Sequence, residues 1–141
     1  MDRKVVNELN AYLKGEYMAI KAYDNFINRI KEPAMRLELQ KIQKDHKQHA
    51  VKVSGRIRDL GGTPAKGPGL MGTMADMKNL LKRNSDDTKF ILQDANNGEY
   101  RGIKMAEEVV KGDLDAESLK LVKGLLEEDR SHVGRLSSYI H

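Results

Sequence analysis

One pattern occurs twice in this chain, and it restricts the fold more than any other feature. Gly15-Glu16-Tyr17 returns as Gly98-Glu99-Tyr100, 83 residues later, and Ile20-Lys21 returns as Ile103-Lys104 at the same offset. Each glutamate is followed 33 residues on by a histidine, His49 in the first half and His132 in the second. Three residues before each histidine stands another metal-capable side chain, His46 or Asp129. The offset also carries Leu39 onto Val122, Ile42 onto Leu125, Val53 onto Leu136 and Ile57 onto Ile140, so apolar positions stay apolar. One helical hairpin used twice, about a pseudo-twofold axis, accounts for all of this.

Hydrophobic spacing predicts the helices. Val6, Leu9, Leu13, Glu16, Ile20, Tyr23 and Ile27 recur in steps of three and four, which places them on one face of a helix over about 2–30. Glu16 sits where a core leucine is expected. Pro33 suits the first turn of a second helix, which runs to about residue 60 before Gly61-Gly62. Its stripe is Met35, Leu39, Ile42, His46, His49, Val53 and Ile57. The short connection makes this helix antiparallel to the first. A Gly- and Pro-rich loop over 61–72 leads to an expected short helix at 73–82, whose methionines suit an apolar docking face better than a soft-metal site.

Ser85-Asp86-Asp87 can cap a third long helix over 86–111, with Leu92, Ala95, Glu99, Ile103, Ala106 and Val110 on one face. A fourth helix is expected over 116–139, with Val122, Leu125, Asp129, His132 and Leu136 aligned. The expected fold is all-α: a four-helix bundle of two antiparallel hairpins joined by a long crossover that contains the short helix, the whole of 1–141 forming one domain.

Six side chains interrupt the apolar stripes: Glu16, His46, His49, Glu99, Asp129 and His132. Three ionised carboxylates in one core need cations, protons or a dense hydrogen-bond network. A pair of divalent metal ions would answer that need, and a dry network between the histidines and carboxylates is the competing arrangement. Asp45 can support a histidine or substitute as a ligand. Tyr17 and Tyr100, each next to a candidate ligand, are either phenols serving the site or tyrosines packed between helices. Gly15 and Gly98 suggest close helix approach beside it, with simple inheritance from a common hairpin as the alternative.

The order Glu, X-x-x-His, Glu, X-x-x-His resembles the ferritin-like superfamily that includes rubrerythrins, and the likeness spans nearly the whole chain. Gly15-Glu16, the turn Leu60-Gly61-Gly62-Thr63-Pro64, the crossover from Gly69 to Lys82, and Gly98-Glu99 look closer to a bacterial family of ferritin-like bundles of uncharacterised function. The resemblance implies a four-helix bundle; on ligand type, zinc, iron and manganese all suit the site. Two departures alter that site. His46-x-x-His49 stands where Glu-x-x-His is the superfamily pattern, and Asp129 replaces a glutamate. Three carboxylates then carry a formal charge of −3 instead of −4.

Other chemistries lack their residues. Without cysteine there are no disulfides or thiolate sites, which fits a reducing cytoplasm. No apolar run approaches the ~20 residues of a membrane span, and the charged start MDRKVVNELN lacks a signal-peptide core. No phosphate loop or nucleophile elbow occurs. Net charge is +4, but basic and acidic residues interleave, so nucleic acid is an unlikely partner; such a reading would rest on Lys41, Lys44, Lys47, Lys52 and Arg56. Metal ions are the expected partners, with a homodimer as the expected form of any self-association. The functional expectation is a cytoplasmic protein with a di-metal core for redox, dioxygen or peroxide chemistry, as a di-iron oxidoreductase if it is an enzyme. The alternative is a non-catalytic helical stress, structural or interaction protein whose polar core holds no metal.

Overall fold

The computed structural model describes residues 2–69 and 86–140, and the short helix expected at 73–82 lies outside them. Four long helices form a bundle: α1 (Arg3–Arg29), α2 (Pro33–Asp59), α3 (Thr88–Val110) and α4 (Ala116–Ile140). At 1.5 Å per residue the 27-residue α1 is about 40 Å long. α1 packs against α2, α3 against α4, and α1 also lies along α3, whereas α2 and α4 approach more sparsely. Lys4 near the start of α1 pairs with Asp113 beyond the end of α3 at 3.2 Å, so those two helices are antiparallel. Glu38 early in α2 accepts from Arg135 late in α4 at 2.6 Å, which fixes the same relation between α2 and α4.

Local chemistry sets the helix ends. Asp2 Oδ1 accepts from the backbone N–H of Lys4 at 3.0 Å and of Val5 at 3.3 Å, satisfying two donors that the first turn leaves free. Asp87 does the same for Lys89 at 2.8 Å. α2 stops at Gly61, whose φ of +85° is left-handed, and Gly62 N–H reaches back to the Ile57 carbonyl at 2.9 Å. Gly61→Ala forces a side chain into that conformation and should destabilise the protein by about 1 kcal/mol, read as a lower midpoint in urea at an unchanged slope.

Beyond this turn the crossover is pinned to α1. Asn10 donates to the Thr63 carbonyl at 3.0 Å and accepts from the Ala65 N–H at 2.8 Å.

Two apolar clusters fill the bundle. One gathers Val5, Leu9, Leu13, Val53, Ile57, Val122 and Leu125, and the other Phe26, Ile30, Leu39, Ile42, Ile91, Leu92 and Leu136. Each fully buried aliphatic or aromatic side chain of this size contributes about 1.5–3 kcal/mol by leaving water. The six polar interruptions fall between the two clusters, because Glu16 follows Leu13 on α1 and His46–His49 separate Ile42 from Val53 on α2. The apolar layers flank this polar layer above and below along the bundle.

Candidate metal centre

All six side chains occupy one buried layer. Glu16, His46, His49, Glu99, Asp129 and His132 are each at most 5% exposed. Every helix supplies part of the set. Glu16 comes from α1, His46 and His49 from adjacent turns of α2, Glu99 from α3, and Asp129 and His132 from α4.

His46 is the centre of the network. Its Nδ1 lies 2.8 Å from Glu16 Oε2 and its Nε2 lies 2.7 Å from Glu99 Oε2. Two carboxylates accept from both ring nitrogens only if the ring is an imidazolium. Burial opposes a charged ring, but Glu99 and Glu16 outweigh it and raise the His46 pKa well above its ordinary value. In return, burial would raise both glutamates, yet the facing imidazoles hold each carboxyl at about 2. Glu99 Oε1 also meets His132 Nδ1 at 2.6 Å, and Glu99 Oε2 accepts from the Tyr23 hydroxyl at 3.0 Å.

The two remaining histidines are oriented alike, but only His132 is hydrogen-bonded at both nitrogens. His132 turns Nδ1 into the layer and Nε2 toward Asp45 Oδ2 on α2, at 2.9 Å. His49 turns Nδ1 toward Glu16 and Asp129, at 3.5 and 3.8 Å, and Nε2 toward Glu128 Oε1 on α4, at 3.3 Å. The offset of 83 maps Asp45-His46-x-x-His49 onto Glu128-Asp129-x-x-His132, so each hairpin's acid supports the other hairpin's histidine. A carboxylate behind an imidazole fixes its tautomer and leaves the inward nitrogen free to bind a cation. Glu128 was legible in the repeat, as the counterpart of Asp45, but it lies outside the apolar stripe.

Hydrogen bonding is incomplete where a cation would sit. Asp129 Oδ1 and both nitrogens of His49 are buried without a hydrogen bond among the described residues. Burial, reinforced by the charges on Glu16 and Glu99, lifts the Asp129 carboxyl to about 7. Orphaned buried polar atoms are costly, and a positive ion would satisfy Asp129 Oδ1 and the inward Nδ1 of His49. Two overlapping sets have suitable geometry: Glu16, His46, His49 and Asp129 in one, and His46, Glu99, Asp129 and His132 in the other. Within each set one ligand atom per residue lies within 4.8 Å of the rest. The residues therefore fit divalent metal, with nitrogen and carboxylate donors suited to iron, manganese or zinc.

Asp129→Asn keeps the shape and removes the disfavoured charge. At about pH 8 it should stabilise the metal-free protein by about 1–3 kcal/mol in denaturant titration while weakening metal binding in both sets.

Of the two readings of the tyrosines beside the glutamates, packing holds for Tyr17, which lies against an apolar cluster, and neither holds for Tyr100, which is 54% exposed. The phenols that serve the layer are those of Tyr12 and Tyr23, both buried, with burial first and the carboxylates second raising their hydroxyl pKa values. Gly15 and Gly98 do not share a close approach. A Cβ at Gly15 would strike the Met105 thioether at 2.7 Å, but one at Gly98 would meet no described atom within 4 Å. Arg56, counted among candidate nucleic-acid contacts, is spent on Asp115, Glu117 and Ser118 at 2.6–3.0 Å.

Comparison with known proteins agrees with this fold. The profile of the family described as Domain of unknown function (DUF2383) matches residues 4–112. No curated protein sequence matches the chain. Among solved structures, it is similar to the bacterioferritin-related protein of Bacteroides fragilis, a dodecameric thioferritin, with 19% identity and a TM-score of 0.80 over 96% of this chain and 83% of that one. A Dps1 mutant from Mycobacterium smegmatis gives 17% identity and a TM-score of 0.84 over 100% and 99% of the two chains. A ferritin-like, diiron-carboxylate protein from Bacillus anthracis gives 22% identity and a TM-score of 0.74 over 97% and 95%. At these identities the likeness establishes a ferritin-like four-helix fold. No described helix is long and apolar enough to cross a membrane.

Proposed function

The chain belongs to the DUF2383 family, and we propose that its buried layer holds a pair of divalent metal ions, iron first and manganese or zinc as alternatives, for redox work on dioxygen or peroxide. The observation that carries this reading is the unsatisfied set at Asp129 Oδ1 and His49, inside a layer that also offers Glu16, Glu99, His46 and His132. Glu16 and His49 would hold one ion, Glu99 and His132 the other, and His46 and Asp129 lie within reach of both sets. Bound iron or manganese would supply one-electron chemistry that no side chain of this layer offers alone.

The chain's own groups do the rest. Tyr23 donates to Glu99 and orients its carboxylate. Asp45 holds the outward nitrogen of His132, and Glu128 stands 3.3 Å behind that of His49. The apolar clusters on either side lower the local dielectric, which strengthens the interactions between charges inside. Similarity to a dodecameric thioferritin supports self-association, with a homodimer as its simplest form, and light scattering in solution reports it.

One observation favours the alternative, a metal-free helical module: His46 and His132 each have carboxylate partners at both nitrogens. Stopped-flow mixing separates the two readings. Protein given ferrous ion without oxygen and then mixed with peroxide or dioxygen should oxidise that iron at least about tenfold faster than buffer does. A rate equal to that of buffer, or to that of Glu99→Ala protein, removes the redox reading.

A further inference from the structure

A cavity of about 290 Å³ lies between α1 and α3 and ends on Glu16, His46, Glu99 and Asp129. It exists because small residues face each other there. Gly15, Ala19 and Ala22 recur along one side of α1, and Ala95, Gly98 and Gly102 along one side of α3. Neither Gly98 nor Gly102 has a left-handed backbone, and a Cβ at either would meet no described atom within 4 Å. Glycine lowers helix stability relative to alanine, so at these two positions it gains nothing in packing against the described residues.

The volume is about ten times a water molecule's share of the liquid and lies at the lower edge of the range for small-molecule sites. Dioxygen or peroxide needs far less. The walls are apolar, with Phe26, Met18 and Met105 among them. Arg101 also lines the cavity; it is exposed, which places it at the rim, and it has no ion pair or hydrogen bond among the described residues.

We infer that this cavity binds a small aliphatic carboxylate, its hydrocarbon chain lying between α1 and α3 and its carboxylate on the Arg101 guanidinium. Charge complementarity selects the acid over a neutral molecule of the same length. The hydrocarbon then lies along the apolar wall of Met18, Ala19, Ala22, Phe26 and Met105. A role for that molecule as substrate or effector rests on the metal reading above, but its binding does not.

The test uses full-length protein labelled with [methyl-13C]methionine, metal-free and zinc-loaded, titrated with octanoate and with octan-1-ol. Octanoate should shift the Met18 and Met105 methyl signals saturably. Met35, packed in the apolar cluster with Phe26 and Leu39, should stay still. Gly98→Leu or Gly102→Leu fills the space and should weaken octanoate at least about tenfold, judged on whichever variant retains wild-type helix content. Arg101→Gln should weaken octanoate about tenfold and leave octan-1-ol unchanged. No saturable shift in either form of the protein, an equal shift at Met35, or wild-type binding by a folded leucine variant overturns the site. Equal weakening of acid and alcohol by Arg101→Gln overturns the carboxylate assignment. Octanoate binding by protein that takes up no metal sinks the metal reading and leaves this one standing.

Discussion

Changing Glu99 to alanine should be the most damaging single substitution in the polar layer. Glu99 is 3% exposed and serves three partners, His46 Nε2 at 2.7 Å, His132 Nδ1 at 2.6 Å and the Tyr23 hydroxyl at 3.0 Å. Removing it leaves two imidazoliums and a phenol buried with a lost acceptor and creates a cavity among them. Breaking a buried charged pair by deleting one member costs about 3–5 kcal/mol. For a chain of this size the metal-free midpoint should fall by on the order of 10–15 °C in a thermal scan. The second ligand set also loses a carboxylate, so bound metal should drop to at most one ion per chain. Glu99→Gln, which keeps an acceptor oxygen and the shape, should recover part of the midpoint and little of the metal. A midpoint within a degree or two of wild type for Glu99→Ala would mean that the network contributes nothing to stability.

The second large effect is a reversal of pH dependence on metal binding. In the metal-free protein Asp129 is raised from 3.8 to about 7 by burial and then by Glu16 and Glu99. His46, His49 and His132 are raised from 6.5; burial opposes this, and the facing carboxylates overcome it. In all four cases the native state holds more protons than the unfolded chain as pH rises through these values, so stability falls. Glu16 and Glu99 act the other way. Both are lowered from 4.5 to about 2, so their contribution is complete above 4.5 and is lost only in stronger acid. The metal-free midpoint should therefore be highest near about pH 5 and decline toward about pH 8. Metal needs the same imidazoles neutral and Asp129 ionised, so its uptake releases protons and strengthens as pH rises. The loaded protein should gain stability over the interval in which the free protein loses it. Paired thermal scans with and without zinc read both slopes. Parallel slopes would place the metal somewhere other than on these side chains.

The bundle and the layer were legible in the sequence because helical periodicity is. Glu16, Glu99 and Asp129 each occupy a stripe position otherwise filled by leucine or valine, and a stripe position has one destination in a bundle. The offset of 83 tied the two halves together without any knowledge of the packing. What escaped was angular. Tyr17 adjoins Glu16 in sequence, but one residue is about 100° around a helix, so it faces away. Tyr23 is seven residues from Glu16, close to two full turns, and reaches Glu99 across the core. Glu128 escaped for a related reason: it sits one step outside the stripe, and its contact with His49 depends on how α2 and α4 face each other.

The cavity was less legible still. Gly15 and Gly98 are equivalent in the repeat, yet Met105 crowds one and open space surrounds the other. Side chains from a second helix decide that difference, and no local pattern encodes it. His46, where the resembled pattern has a glutamate, was visible in the sequence, but its consequence was not. Only the packed bundle places one ring between Glu16 and Glu99, where an imidazolium holds both carboxylates in the absence of metal.

The most direct test of the metal-centre assignment is the number of ions that survive desalting. Protein purified without chelator or a metal-affinity tag is equilibrated anaerobically with ferrous ion, desalted and submitted to elemental analysis. The two ligand sets predict about two irons per chain. An iron content indistinguishable from that of a desalted buffer blank would contradict the assignment and leave the layer as a closed network of histidines and carboxylates.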